Sequence, residues 1–97
     1  MKLIFKYRKI AEKFLNKHRG LKEKFQENIK LAYAGYKNID ISTVEGQKIK
    51  TYRMRITSYR IIFRVEENNT ITIIDVIDAG NRGDIYNKYW IFYLFLL

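Results

Sequence analysis

Four arginines, Arg53, Arg55, Arg60 and Arg64, fall in one stretch that alternates apolar and polar residues between Tyr52 and Val65. A guanidinium stays charged and offers a planar fork to two oxygens at once, so arginines spaced this way suit the holding of phosphate. The stretch contains no Asp or Glu. Like charges facing one another in a sheet destabilise it by ~0.2–1 kcal/mol, so the pattern predicts an anion on this face. The plainer alternative is a solvated basic face screened by Glu66, Glu67 or acids elsewhere. A second polar group, Asp78-Ala79-Gly80-Asn81-Arg82-Gly83-Asp84-Ile85-Tyr86, directly follows a β-branched run. Taken alone, Tyr86 reads as a packing aromatic in a chain with eight tyrosines. His18 ends a helical segment, where an exposed or capping role is expected. Asp75, Asp78 and Asp84 match no metal-ligand spacing, and Asp84 reads as part of a helix start. With no Cys and one His, thiolate and multi-histidine metal sites are excluded, and no cofactor is expected.

Composition narrows the partners. The 97 residues allow one domain, 1–97, and a formal charge of +9 points to a polyanion such as nucleic acid, an anionic membrane or an acidic protein. A hydrophobic fraction of 47%, with eight Tyr and six Phe, excludes a disordered basic tail. Leu3-Ile4-Phe5 between Lys2 and Lys6 is too short for a secretory signal, which implies a cytoplasmic location. Residues 90–97 form an atypical apolar tail, Trp90-Ile91-Phe92-Tyr93-Leu94-Phe95-Leu96-Leu97, far shorter than the ~20 residues of a membrane span, so no membrane partner is expected.

The elements that must position these groups follow from periodicity. Leu3, Phe5 and Tyr7 alternate with Lys2 and Lys6, predicting a strand over 2–7. Ile10, Ala11, Phe14 and Leu15 predict a helix over about 8–18 with Gly20 as its C-cap. Leu21, Phe25, Ile29, Ala32 and Tyr33 predict a second helix over about 21–34, stopped by Gly35. Residues 35–50 read as a loop. Tyr52–Thr57 and Tyr59–Val65 read as strands joined at Thr57-Ser58, which pairs Ile56 with Tyr59, Arg55 with Arg60, Met54 with Ile61 and Arg53 with Ile62. That register puts Tyr52, Met54, Ile56, Tyr59, Ile61 and Phe63 on one face and the four arginines on the other. Glu66–Asn69 reads as a turn and Thr70–Asp78, β-branched on both faces, as the central strand. The order is α+β, with an N-terminal strand and a helical hairpin packed on a small, mainly antiparallel sheet.

Tyr52-Arg53-Met54-Arg55-Ile56-Thr57-Ser58-Tyr59-Arg60-Ile61-Ile62-Phe63, the strand 70–78, and Gly80-Asn81-Arg82 with Tyr86 resemble the RelE/ParE superfamily of bacterial toxins from toxin-antitoxin pairs. The resemblance covers most of the chain, leaves residues 90–97 aside, and implies a RelE-like fold. It also implies a cognate antitoxin as partner in a hetero-oligomer. In RelE-like messenger-RNA interferases, a basic pair on one strand, an arginine on the next, an arginine after the following strand and a tyrosine beyond it cut mRNA in the ribosomal A site. By motif position these fall on Arg53 and Arg55, Arg60, Arg82 and Tyr86, so the ribosome carrying mRNA is the implied second partner. The pair is often lysine in that family. Arginine hardly deprotonates, so Arg53 and Arg55, with Arg64, are assigned to phosphate binding rather than proton transfer.

Such residues suit RNA cleavage by the 2′-hydroxyl without a metal: a base removes its proton and cations stabilise the charged transition state. Tyr86 is the candidate base, with Arg60 and Arg82 the stabilising cations. Two rivals remain: a ParE-like toxin that poisons DNA gyrase without cutting RNA, and an inactive relative that retains only antitoxin binding. The filled tyrosine and arginine positions favour the nuclease.

Overall fold

A computed structural model describes residues 2–89; the tail at 90–97 lies outside the described residues. The chain runs β1 (Lys2–Tyr7), α1 (Lys9–Lys17), α2 (Leu21–Tyr33), β2 (Ile41–Thr43), β3 (Tyr52–Ile56), β4 (Tyr59–Asn68), β5 (Ile71–Asn81) and α3 (Arg82–Lys88). The strands form one sheet in the order β1-β5-β4-β3-β2, with β1 parallel to β5 and the other neighbours antiparallel. The α+β architecture is as expected. Among the described residues, no helix is long and apolar enough to cross a membrane.

The helices form where the apolar periodicity placed them. Ala11 and Leu15 of α1, and Leu21, Phe25 and Ile29 of α2, are buried one helical turn apart. Ile10 departs from the expectation: it is 52% exposed, at the flank of α1's apolar stripe. Gly20 does not cap α1, whose C-cap is His18; it adopts φ +83° and opens α2. At α2's other end Gly35 adopts φ +96°, and the amides of Gly35 and Tyr36 bond back to the carbonyls of Ala32 and Leu31. That double bond pattern satisfies carbonyls the helix leaves open and requires a residue at ease with positive φ.

Thr57-Ser58 joins β3 to β4 with the expected register: Ile56 opposite Tyr59, Arg55 opposite Arg60, Met54 opposite Ile61 and Arg53 opposite Ile62. The helix-facing side is therefore apolar, with Met54, Ile61 and Phe63 packed against Ala11, Leu15, Phe25 and Ile29. Three boundaries differ from the sequence reading. The loop 35–50 contains β2, a three-residue edge strand too short to register a period. Glu66–Asn68 belong to β4, and the turn contracts to Asn69-Thr70, with Asn69 at φ +53°. β5 continues past Asp78 through Asn81, and β4 rather than β5 occupies the middle of the sheet.

A smaller apolar cluster lies on the opposite face, where Val44, Ile62 and Ile85 are buried with Ile77, Tyr86 and Tyr89 packed against them. This accounts for Ile62, the apolar residue among the arginines. The ladder between β4 and β5 slips here, from Ile62 opposite Asp78 to Phe63 opposite Val76, leaving Ile77 as an extra residue. Such a bulge bends a strand and re-aims its side chains. Ile77 and Asp78 both turn toward α3.

Candidate functional site

The site is built by α3 returning over the arginine face. Its start is tied to the β3–β4 hairpin, since the Arg82 amide donates to the Ser58 carbonyl at 3.1 Å. Ile85, 1% exposed, anchors the helix on Ile62 and Val44. Gly80 lies under this contact: a Cβ there would sit 3.4 Å from the Ile85 side chain, at the edge of ordinary van der Waals contact. The far end of α3 is held by Asp78, which is only 5% exposed. Its carboxylate accepts from Lys88 Nζ at 3.2 and 3.3 Å, from Tyr89 Oη at 3.3 Å and from the Ala79 amide at 2.9 Å. Burial, reinforced by the Asp78 carboxylate, pushes the Tyr89 phenol up to about 12.

Between these anchors, Arg82 and Tyr86 sit one turn apart on α3. Arg82 Nε donates to Tyr86 Oη at 2.8 Å, and its guanidinium carbon lies 4.9 Å from the centre of the tyrosine ring. The ring is partly buried against the Ile62–Ile85 cluster. Packing on the apolar cluster and the Arg82 cation both orient the tyrosine.

Arg60 lies opposite Gly80 on one side and Arg55 on the other. It is 8% exposed, and its Nη1 donates to the Thr57 and Tyr59 carbonyls at 3.2 and 3.1 Å. The hairpin holding Arg60 is the one that receives the Arg82 amide, so Arg60 and the start of α3 lie at one end of the sheet.

The phosphate-binding set behaves differently. For Arg53 and Arg55 the alternative of screening by acids elsewhere applies, since Asp40 arrives from the loop before β2 and meets both. Arg53 Nη1 binds Asp40 Oδ1 at 3.0 Å and Nη2 binds Ser42 Oγ at 2.6 Å, leaving Arg53 only 7% exposed. These bonds brace β2 and its approach loop against β3. Arg55 shares the same carboxylate at 3.7 Å but keeps its side chain 58% exposed. Arg64 is four residues along β4 from Arg60, roughly 13 Å at strand rise, and binds Thr51 Oγ1 at 3.1 Å. It lies beside Arg8 and Asp75, themselves paired at 3.1 Å, and so does not join Arg60.

Asp75, Asp78 and Asp84 are also separated by their partners: Asp75 takes Arg8, Asp78 takes Lys88 and Tyr89, and Asp84 is in α3's first turn. Among the described residues, no three His, Cys, Asp or Glu side chains form a group that could hold a metal. His18 packs its ring against Phe14 and Tyr59, at 4.2 and 4.7 Å between centroids. Sequence reasoning missed Asp40, and it missed the Asp78–Lys88–Tyr89 clamp. The single signal for the clamp was an acid closing an otherwise β-branched run.

No protein-family model matches the chain, and no curated protein matches it significantly. Solved structures do. A chain of the archaeal RelE–RelB complex from Pyrococcus horikoshii OT3 superposes with a TM-score of 0.61 at 23% identity, covering 86% of this chain and 98% of that one. A chain of the RelB–RelE antitoxin–toxin complex from Methanococcus jannaschii superposes with a TM-score of 0.56 at 22% identity, covering 86% and 96%. The fold is RelE-like.

Proposed function

We propose that the protein is the toxin of a toxin-antitoxin pair and a ribosome-dependent endoribonuclease that cuts mRNA without a metal. The observation that carries this reading is the Arg82–Tyr86 pair, fixed at 2.8 Å beside Arg60 on a RelE-like fold. In the reaction, the RNA 2′-oxygen attacks the adjacent phosphorus while its proton passes to the oxygen of Tyr86 in its deprotonated, phenolate form. The bond from phosphorus to the 5′-oxygen breaks, leaving a 2′,3′-cyclic phosphate and a 5′-hydroxyl once that oxygen takes a proton from solvent water. Arg82, already aimed at the tyrosine oxygen, and exposed Arg55 supply charge to the phosphorane-like transition state. Arg60 contributes by holding the hairpin to which α3 is tied, and by its positive charge at the same end of the sheet.

The described residues include no module for reading RNA sequence, so the ribosome must hold the message in line for attack. The partner that silences the toxin is an antitoxin, supported by the complexes in which both structural neighbours were solved. An amphipathic antitoxin segment suits the groove of about 320 Å³ between α2 and the sheet, where Tyr33, Tyr52 and Phe63 lie between Lys50 and Glu67.

The test is cleavage of mRNA on purified, programmed ribosomes, with the new ends mapped chemically. Cyclic-phosphate ends produced on ribosomes, with protein-free RNA cut poorly, are expected. Intact mRNA together with inhibited DNA supercoiling would move the assignment to a ParE-like gyrase poison.

A further inference from the structure

Across the β3–β4 hairpin from Arg60 and Arg82, on the helix-facing side, lies a cavity of about 410 Å³. Lys17, His18, Arg19 and Lys24 line it together with Thr57 and Tyr59, and among the described residues no carboxylate does. The nearby acids are engaged or turned outward: Glu12 lies 3.9 Å from Lys22, and Glu23 is exposed on α2. The cavity has a rigid wall, because the His18 ring is packed against Phe14 and Tyr59, and Phe14 meets Tyr59 edge-on at 5.8 Å. Three cations around a concavity without a counter-charge repel one another, and an anion entering it removes that repulsion. The cavity touches Thr57, whose carbonyl accepts from Arg60, while the next residue, Ser58, receives the Arg82 amide. The two basic regions thus flank one two-residue turn, within reach of a single extended polyanion.

We infer that this cavity is a second RNA subsite, in which Lys17, Arg19 and Lys24 hold a backbone phosphate of the strand that passes the hairpin to the Arg82–Tyr86 pair. The assignment of RNA as the ligand rests on the nuclease reading; the anion site itself rests on the cavity and its charge. RNA is favoured over an acidic protein because a nucleic acid strand carries a charge at every nucleotide, and so can place one phosphate here and another across the turn.

The test measures binding of a fluorescent 2′-O-methyl RNA hexanucleotide, which the 2′-hydroxyl mechanism cannot cut, over a range of salt. The combined variant Lys17→Gln, Arg19→Gln, Lys24→Gln changes only exposed side chains. It should bind about tenfold more weakly at low salt, and the slope of log affinity against log salt should fall by ~0.7, the value for one phosphate contact on a single strand. Lys9→Gln, Lys13→Gln, Lys30→Gln removes the same charge elsewhere on exposed positions and should leave that slope unchanged. Equal losses in the two variants, or no loss in the first, overturn the subsite. So does a pocket variant that loses binding of a polyglutamate peptide but keeps RNA binding. Pocket-dependent oligonucleotide binding in a protein that leaves ribosomal mRNA intact would retain the subsite and refute the nuclease. Ribosomal cleavage with pocket-independent binding would do the reverse.

Discussion

Replacing Tyr86 by Phe separates chemistry from folding because the structure assigns different contacts to the ring and to its hydroxyl. The ring keeps its packing against Ile62 and Ile85 and its position 4.9 Å from the Arg82 guanidinium. The substitution removes the hydrogen bond from Arg82 Nε at 2.8 Å, in an exposed setting. Such a bond on a solvated surface contributes about 0.5 kcal/mol, which for a chain of this size lowers Tm by only ~2–4 °C. Loss of a general base costs ~10²–10⁴-fold in rate, or ~2.7–5.4 kcal/mol of barrier at 1.36 kcal/mol per tenfold. The two effects differ severalfold in energy, so a modest change in stability cannot masquerade as the catalytic loss. The assay is single-turnover cleavage on programmed ribosomes at saturating protein, with Tm and ribosome affinity measured in parallel. We expect the rate to fall within that range while both controls stay near wild type. A rate within twofold of wild type would remove Tyr86 as the base and leave the cations to act alone.

Arg53→Ala should act on stability rather than on RNA: losing its bonds to Asp40 and Ser42 at a buried position costs ~2 kcal/mol, seen as a Tm drop of roughly 8–16 °C by circular dichroism. An unchanged Tm with weaker, salt-dependent RNA binding would restore it as a phosphate ligand. Tyr89→Phe should alter the alkaline limb of stability. The native phenol is pushed up to about 12, from ~10 when unfolded, so the folded state holds this proton more tightly; the stability it lends is complete below pH ~10 and is lost as pH rises toward 12. Burial raises Tyr7 and Tyr33 as well, so the informative quantity in denaturant titrations is wild type minus variant, which should shrink from pH 9 to pH 11.5. A constant difference would show that the phenol is not perturbed.

What the sequence made legible and what it hid have a common physical origin in the range of the interactions involved. Thr57-Ser58 set the β3–β4 register because a two-residue connection leaves the flanking strands little freedom, and alternation then sorted every side chain between Tyr52 and Phe63 to its face. The strand reading ends at Asp78, and Gly80 and Asn81 are both poor strand formers, yet pairing with Arg60 and Tyr59 carries β5 through them. The bulge at Ile77 could not be seen, since an inserted residue changes no composition; its consequence is that Asp78 faces α3 and secures it. Asp40 was hidden for a related reason: it lies in an aperiodic loop, and its distance along the chain from Arg53 gave no sign that the two meet. That one carboxylate divides the arginine pair that the motif treated as equivalent. Arg53, bonded at 3.0 Å and buried, becomes a brace for the sheet edge, while Arg55, at 3.7 Å and 58% exposed, retains access to solvent and to an incoming phosphate. The accessible positive charge is thereby displaced from Arg53 in the strand interior toward Arg55, next to the hairpin to which the start of α3 is tied.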